Sequence, residues 1–597
     1  MKKSGIFWIA VLLLMAGGLA PLHAESDEKM EIKKVTFEGN HSFSDDRLRK
    51  LMVSRPSSFF RNSYYREEVL RQDLDGIVTF YNNQGYLQAE ITGHEVQKDT
   101  SENEVRIHIS LKEGAVTHLE SISILGNEFY SDSLLRKKIN LKPGDPLLRN
   151  EINSATVEMI RMYANKGFLD AVVKPDIKIN DSTHLALVDY MIEENTQYTI
   201  DEIIIKGLDK TDRNVVTREL KFDSGDLVNY SELLQSQQNL YETGLFRSVY
   251  INPDTAANED ADTKDIIVEI EENLPAEFSI SVGYATIEKL RGTLEIYHNN
   301  LMGTARKAGL QTQASFINRQ IRASFTEPWT FGTRFKTDIN AKWEYQEEPG
   351  YKVRRYGGNI SVGREFLKNS NVALSYRIEN VKLTDIKLQN IPRDLERNDL
   401  RTIKLDMVYD TRNDLFNATE GFFANLSNEV SGTFLSSTVS FFRSTLDLKY
   451  FWPLRKSTIL ASALTLGWMD AHNGLRDIPL NERFYTGGPN SVRGFNYQEV
   501  GSLDESGYPI GGKIKSVYNL EIRQTIYKMV GAVAFADVGN VWETPRYANP
   551  GDYRYAVGVG ARVNTPIGLL RLDWGFNIFP QPDEPRNKLY FGMGQAF

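Results

Sequence analysis

Arg493 is the residue whose surroundings most suggest a chemical role, because it lies in a stretch, 482–497, that is rich in turn-forming and aromatic residues. The run Gly-Gly-Pro-Asn at 487–490 is typical of a turn. An arginine keeps its charge at any attainable pH and offers a planar fork of hydrogen-bond donors. Burying the guanidinium would require a carboxylate partner. The stretch is therefore either a loop pinned inside the protein or a surface hairpin with a solvated arginine, and we predict the pinned loop.

Glu521 is a candidate carboxylate partner for Arg493, because it lies on the polar face of a predicted strand. Alternate side chains of a strand point to opposite faces, so Glu521 shares its face with Asn519 and Arg523. The opposite face carries three apolar or aromatic neighbours. We expect Glu521 to face the interior of the wall that this strand helps to build.

Sequence motifs that would indicate an enzyme or a metal site are incomplete or absent. Residues 507–513 have the spacing of a phosphate-binding loop, but Ile514 stands where a magnesium-binding hydroxyl is required. The metalloprotease and nucleophile-elbow motifs do not occur. The acidic run 258–264 lacks the spaced oxygen ligands of a calcium loop, and we expect a solvated hairpin tip there. With no cysteine and eight scattered histidines, we predict no metal, no cofactor and no catalytic residue.

Length and composition indicate several domains in an exported protein. A chain of 597 residues is too long for one core, and a net charge of −9 gives no reason to expect nucleic acid. Residues 1–24 have the pattern of a secretion signal, with two lysines, an apolar run and Leu-His-Ala before Glu25. Leu22 is an imperfect residue for a cleavage site, so the cleavage point stays open. A membrane anchor is the alternative, but about 15 apolar residues are short for a span.

Three copies of one unit follow, with a period of roughly 80 residues. Each copy opens with a strand-like run that breaks at a glycine, and continues with a helical stretch that also ends at a glycine. The first set of glycines is Gly39, Gly126 and Gly207, and the second is Gly85, Gly167 and Gly244. Two further strands close each copy, so the sequence predicts α+β domains of order β-α-α-β-β at 30–117, 118–198 and 199–275. Their sheet edges could receive an extended client, or the domains could be a spacer arm.

Residues 277–597 alternate with a period of two. Phe278, Ile280 and Val282 lie on one face of a strand, and polar or small residues lie on the other. The same alternation continues through 555–563, 570–578 and 589–597. An apolar, aromatic face opposite a polar face indicates a β-barrel with lipid outside and a water-filled lumen inside. A soluble sandwich also alternates, but is seldom so aromatic near its strand ends. About 320 residues at roughly 20 per strand predict a transmembrane antiparallel β-barrel of about 16 strands.

Several motifs resemble those of the BamA/TamA family of outer-membrane assembly factors. Val492-Arg493-Gly494-Phe495 is similar to its barrel-loop signature. Other stretches similar to its barrel motifs are 300–304, 327–329, 409–413 with 421–423, 535–542 and 568–573, although Ala418 stands where a proline is usual. The three copies resemble POTRA domains, with Leu208 replacing an asparagine in the third. Three copies and the overall length are more similar to TamA than to BamA, whose relatives commonly carry five.

The resemblance implies the outer membrane of a Gram-negative bacterium, with the N-terminal domains in the periplasm. It implies that Arg493, Gly494 and Phe495 form a latch inside the barrel, and that Glu521 and Asp537 are its wall partners. The first and last barrel strands must meet at a seam, and a seam that opens would offer an edge to client strands. We assign to this seam Phe278, Ile280, Val282, Gly592, Gly594 and Phe597. The two glycines weaken the last strand, 589–597, and its terminal aromatic resembles an insertion signal.

We therefore predict a non-enzymatic factor that inserts or exports β-rich client proteins. The alternative is a two-partner secretion-type pore for one dedicated protein, a family that usually carries two front domains and a plug helix. A passive porin would leave the three front domains unexplained. The expected partners are unfolded outer-membrane proteins and outer-membrane lipid, without nucleic acid. A TamB-like inner-membrane protein and accessory lipoproteins are both open as further partners, as are client identity and oligomeric state.

Overall fold

The computed structural model describes residues 30–57, 63–254, 262–389, 396–471, 478–566 and 568–597. The predicted secretion signal and most of the acidic run 258–264 lie outside these residues. Among the described helices, none combines the length and apolar character needed to cross a bilayer. The first two repeats belong to one compact unit, and most of the third repeat shares a second unit with the barrel.

Each repeat is a three-stranded sheet with two helices, in the order β-α-α-β-β, which confirms the predicted fold class. The first contains β1 (Glu31–Glu38), α1 (Asp45–Leu51), α2 (Glu67–Asn83), β2 (Glu90–Asp99) and β3 (Glu104–Lys112). The second contains β4 (His118–Leu125), α3 (Asp132–Arg136), α4 (Arg149–Ala164), β5 (Val172–Asn180) and β6 (Leu185–Glu193). The third contains β7 (Thr199–Lys206), α5 (Arg213–Thr217), α6 (Tyr230–Glu242), β8 (Phe246–Pro253) and β9 (Thr263–Glu272). In every sheet the last strand lies in the middle, which leaves the other two at the edges.

The longer helix of each repeat covers its sheet with one apolar face. In α2 the buried positions Leu70, Leu74, Ile77 and Tyr81 are spaced by four, three and four residues, which places them on one side of a helix. They pack with the inward side chains of β1 and β3 into a single core. The second repeat has its own core, built in the same way around α4 and β6.

The glycines that end the first strand of each repeat have a shared steric cause. Gly39, Gly126 and Gly207 have φ angles of +88°, +86° and +87°, a region that disfavours residues with a Cβ. A Cβ on them would lie 1.9, 2.1 and 2.0 Å from a main-chain oxygen of the middle strand. The chain can cross over the middle strand here only because no side chain is present.

A glutamate beside each crossing, buried in the first repeat and half-buried in the other two, was missed by the sequence reasoning. Glu113 accepts a hydrogen bond from the main-chain N–H of Ser42, at 2.8 Å, and from the Tyr81 hydroxyl, at 2.9 Å. In the second repeat Glu194 likewise accepts from a main-chain N–H and from the Tyr163 hydroxyl, whereas in the third Glu272 accepts from main-chain N–H groups. Burial and this hydrogen bond raise the pKa of Tyr81 well above its ordinary value, so the phenol stays a donor. The glutamate lies at the end of the last strand of each copy or directly after it, which is the signal that could have revealed it.

Gly39→Ala is expected to destabilise the first repeat by roughly 2 kcal/mol or more, because the positive φ and the main-chain clash add together. Gly76→Ala is the matched control in the same repeat, since Gly76 lies inside α2 with nothing within 4 Å of an added Cβ. That control should gain about 0.5–1 kcal/mol from helix propensity. Amide hydrogen exchange of the first repeat in the full chain measures both. Equal protection in the two variants would contradict the steric argument.

The remaining described residues form sixteen strands in one antiparallel sheet, each paired with the next in the chain. This confirms the predicted strand number. The strands are β10 (Ala276–Ala285), β11 (Lys289–Leu301), β12 (Arg306–Ser315), β13 (Asn318–Glu327), β14 (Lys336–Glu348), β15 (Tyr351–Glu365), β16 (Ser370–Thr384), β17 (Arg397–Asp410), β18 (Gly421–Ser431), β19 (Phe441–Arg455), β20 (Thr458–Ala471), β21 (Ile514–Tyr527), β22 (Val530–Trp542), β23 (Arg554–Thr565), β24 (Gly568–Asn577) and β25 (Asn587–Met593).

The barrel exposes apolar side chains and buries charged ones, as expected for lipid outside and a polar interior. On β10, Phe278, Ile280 and Val282 are 63%, 67% and 69% exposed. On β21, Glu521 and Arg523 are buried, although they alternate with exposed apolar residues. The polar face of the sheet is therefore turned toward the interior of the barrel.

The first and last strands meet without forming a ladder in the described residues. They touch at Thr286, whose main-chain N–H donates to the Phe591 carbonyl oxygen at 3.0 Å. The Phe591 N–H donates to the Thr286 hydroxyl at 2.7 Å. No further strand pairing joins β10 and β25 among the described residues.

The last strand is shorter than the predicted 589–597, because it ends at Met593. Gly594 has a φ of +80° and turns the chain inward. Gln595 then accepts a hydrogen bond from Arg562 at 3.0 Å and donates one to Asn417 at 2.9 Å. Phe597 packs against the buried cluster of Ala418, Phe451 and Ala461. Placing Phe597 on the strand of the seam was therefore wrong, since inward hydrogen bonds draw it into the barrel.

Candidate functional site

The loop between β20 and β21 folds back into the barrel, and the structure describes it from residue 478 onward. Within it Val492, Arg493 and Phe495 are buried. The main chain passes so close to β24 that a Cβ on Gly575 would lie 2.7 Å from the Arg493 carbonyl carbon. Gly494 has a φ of +106°, so the turn at this approach also favours glycine. Small residues on both sides allow the loop to lie directly on the wall.

Arg493 is fully buried and forms a bidentate ion pair with Asp537. Its Nε donates to Oδ2 at 2.7 Å, and its Nη2 donates to Oδ1 at 2.8 Å. Its Nη1 donates to Oε1 of Glu521 at 2.5 Å and lies 3.5 Å from Oδ2 of Asp573. The guanidinium carbon also lies 3.5 Å from the centre of the Phe535 ring, an arrangement that favours a cation. One side chain thus connects the loop to β21, β22 and β24.

The strand register explains why these groups meet. Asn519 on β21 pairs with Asp537 on β22, so their inward side chains are adjacent. The Asn519 amide donates to Asp537 at 2.8 Å and to the Ser491 carbonyl oxygen at 2.5 Å. Glu521 also accepts from Arg523 at 2.8 Å. The carboxylates are therefore oriented by wall residues as well as by the loop.

The structure brings Arg493 together with both carboxylates that the sequence analysis named, Glu521 and Asp537. Gly494 and Phe495 lie in the same buried segment, and the Tyr590 hydroxyl on β25 donates to the Phe495 carbonyl oxygen. Asp573 was missed, and so were Phe535 and Tyr590. Asp573 lies on the polar face of an alternating strand, which is the signal that could have found it.

The seam residues lie elsewhere. Phe278, Ile280 and Val282 line the outer face of β10 and do not contribute to the latch. Gly592 lies on β25, where a Cβ would come 3.3 Å from Nε of Arg571. The structure therefore separates the group that holds the loop from the strand edges that meet at the seam.

A second charged cluster fixes the beginning of the loop. Glu482 is buried, and its carboxylate lies 3.2 Å from Nη1 of Arg443 on β19 and 3.5 Å from Nη2 of Arg377 on β16. Both arginines also bind Glu429 on β18. The sequence analysis did not name this cluster. The loop is consequently attached to two parts of the wall, β16–β19 through Glu482 and β21–β24 through Arg493.

The described residues contain no group of three or more histidine, aspartate or glutamate side chains placed to hold a metal ion. The charges of the site pair with one another. Such an arrangement is suited to holding a loop in one position.

Comparisons with known proteins agree with this geometry. The Omp85 superfamily domain matches residues 300–597, and the POTRA family, described as a surface antigen variable number repeat, matches 30–114, 117–195 and 198–273. The chain belongs to the BamA/TamA family of the Omp85 superfamily. The resemblance seen in the sequence motifs is thus confirmed, whereas the particular likeness to TamA stays a prediction.

Two relatives match this family member over nearly its whole length. An outer membrane protein assembly factor BamA from Nitratidesulfovibrio vulgaris is 26% identical over 595 residues, covering 96% of this chain and 74% of that protein. The BamA of Neisseria meningitidis is 22% identical over 636 residues, covering 96% and 79%. The crystal structure of BamA from Haemophilus ducreyi lacking POTRA domains 1–3 gives a TM-score of 0.67 at 20% identity, covering 80% of this chain and 99% of that one. This last likeness shows the fold.

Proposed function

We propose that this chain is an outer-membrane protein assembly factor that inserts or exports β-rich client proteins. Its relatives are named as outer membrane protein assembly factors, and the family places the barrel in the outer membrane of a Gram-negative bacterium with the repeats in the periplasm. The observation that carries the proposal is the seam. Strands β10 and β25 meet at Thr286 and Phe591, and no ladder joins them in the described residues.

A free strand edge can act as a template. The unpaired N–H and C=O groups of β10 can bind an extended client strand, which then exposes its own edge to the next. In lipid, every unpaired main-chain group is costly, so pairing drives the client into the sheet. Backbone pairing and apolar burial supply the free energy, and the proposed activity needs no nucleotide and no covalent step.

The strands on the two sides of the seam are held by different sets of residues. This supports lateral opening, which is the separation of β10 from β25 toward the surrounding lipid. Arg493 ties β21, β22 and β24 together, and Tyr590 attaches β25 to the loop. On the β10 side, the third repeat binds the adjoining turns. The Trp329 indole N–H donates to Glu219 at 2.7 Å, and the Asp212 N–H donates to the Gly303 carbonyl oxygen at 2.9 Å. Opening can therefore separate β10 from β25 while each neighbouring set of strands keeps its contacts.

The repeats supply further edges in the periplasm. In each sheet two strands lie at the edge, and β2 is largely exposed. We propose that these edges hold unfolded clients by strand addition before they reach the barrel. A TamB-like inner-membrane protein and a set of accessory lipoproteins are the two alternatives for a further partner.

Reconstitution tests the function. The full chain in liposomes should speed the folding of a urea-unfolded outer-membrane barrel by roughly tenfold or more, which corresponds to about 1.4 kcal/mol of barrier. Folding is measured by the heat-dependent gel mobility of the client. A porin of similar strand number is the control for membrane disruption. Equal rates with the porin would refute the proposal, and acceleration of one dedicated client alone would favour the secretion-pore alternative.

A further inference from the structure

A cavity of about 310 Å³ lies between the third repeat and the first hairpin of the barrel, within one compact unit. From the repeat it is lined by Lys210 and Glu272. From the barrel it is lined by His298, and Leu274 and Met302 lie at its border. The assembly mechanism proposed above makes no use of this cavity.

The strand register places the cavity at the edge of the apolar belt. On β10 and β11, Phe278 pairs with Ile296, and both face outward as exposed apolar residues. Ala276 and His298 form the next outward pair toward the periplasm. Two residues along a strand advance about 7 Å, so His298 lies just beyond the hydrocarbon region. Lipid headgroups occupy this level of a bilayer.

The polar groups of the cavity suit a phosphate. Lys210 is exposed at the cavity and takes part in no ion pair among the described residues. His298 lies nearby, and its buried Nδ1 has no hydrogen-bond partner there. The carboxylate of Glu272 is already occupied, since it accepts the main-chain N–H groups of Asp209 and Thr211 at 3.0 and 2.9 Å. The groups left available for a ligand are an ammonium and an imidazole nitrogen.

Two large apolar side chains flank this polar pocket. Leu274 is 85% exposed and Met302 is 84% exposed. Such exposure is unfavourable in water. Leu274 and Met302 lie farther toward the periplasm than His298, so they would contact the headgroup and glycerol region of a lipid. Ile296 and Phe278 would contact its acyl chains.

We propose that this cavity binds one phospholipid of the inner leaflet. Its phosphate would lie at Lys210 and His298, with Leu274 and Met302 against its glycerol region. Its acyl chains would extend along the outer face of β10 and β11, past Ile296 and Phe278. The bound lipid would fill the space between the third repeat and the first barrel hairpin. The proposal rests on the outer-membrane barrel and does not depend on the assembly activity.

Native mass spectrometry of the full chain, titrated with phosphatidylglycerol in detergent, tests this site. Wild-type protein should retain one tightly bound lipid, and Lys210→Ala should weaken that binding about tenfold, the effect expected for loss of a charge-assisted hydrogen bond. Lys210→Arg should restore binding. Lys368→Ala removes an exposed lysine from the turn between β15 and β16 and should leave the affinity unchanged.

The apolar half of the site is tested with Leu274→Ser and Met302→Ser together, which should also weaken lipid binding. Heat-dependent gel mobility verifies that every variant keeps a folded barrel. Unchanged affinity in Lys210→Ala, or an equal loss in Lys368→Ala, would overturn the proposal. Inorganic phosphate is the second probe. Displacement of the lipid by phosphate at an equal concentration would assign the cavity to a free anion and would also overturn it.

Discussion

Arg493→Ala is expected to destabilise the barrel by roughly 3–5 kcal/mol, because removing one partner of a buried ion pair leaves the other charges uncompensated. Asp537 and Glu521 are both fully buried and would lose their shared donor. We expect a fall in the yield of folded barrel, measured by heat-dependent gel mobility after refolding. The loop should also become accessible to protease.

Three companion variants distinguish the latch from a general effect of charge. Arg493→Lys should recover little of the loss, since an ammonium cannot form the bidentate pair with Asp537. Glu521→Ala should also lower the yield, because Arg523 and Arg493 both bind that carboxylate. Arg455→Ala, which removes an exposed arginine at the end of β19, is the control and should behave as wild type. Wild-type yields for both Arg493→Ala and Glu521→Ala would remove the latch proposal.

A disulfide between Thr286→Cys and Phe591→Cys should stop client assembly in every molecule that it closes. These residues meet across the seam through one main-chain hydrogen bond and one hydrogen bond from the Phe591 N–H to the Thr286 hydroxyl, a proximity compatible with disulfide geometry. The chain has no cysteine of its own, so the introduced pair is free of competing thiols. The rate of client folding should fall in proportion to the fraction of crosslinked molecules. It should recover when the disulfide is reduced. The assay is the reconstituted folding of a client.

The matched control places a disulfide in a permanent ladder. Ser361 and Ser375 are paired on β15 and β16, and their hydroxyls are 2.9 Å apart. Ser361→Cys with Ser375→Cys should therefore crosslink without loss of activity. Full activity with the seam crosslinked would exclude lateral opening. Equal inhibition by the control would attribute the effect to rigidity of the wall.

Sequence reasoning succeeded where the signal is local. The turns at Gly39, Gly126 and Gly207 depend on backbone conformation within a few residues, so the glycines themselves indicate them. The repeats were found because the same local pattern recurs at a regular spacing. Alternation of side chains is equally local, and it predicted which face of β21 carries Glu521. The loop around Arg493 was recognised because Val492-Arg493-Gly494-Phe495 resembles the barrel-loop signature of the family, and because a buried guanidinium needs a carboxylate partner.

The partners that sequence reasoning missed are distant in the chain. Asp573 reaches Arg493 from β24, and the two arginines that hold Glu482 come from β16 and β19. Which inward side chains meet in the lumen depends on the stagger and curvature of the closed wall, and no local pattern encodes either. The same applies to the chain end, where hydrogen bonds from Gln595 overcome the tendency of an alternating sequence to continue as a strand.

The sequence by itself determined the three α+β repeats and the sixteen-stranded barrel, because both follow from periodicity. Its loop motif indicated the buried Arg493 through resemblance to the family. Only the tertiary structure decided that the loop is attached at two points and that the seam lacks a ladder. It alone placed Phe597 inside the barrel. These features arise from contacts between strands that are far apart in the chain, and their geometry is fixed only when the wall has closed around the loop.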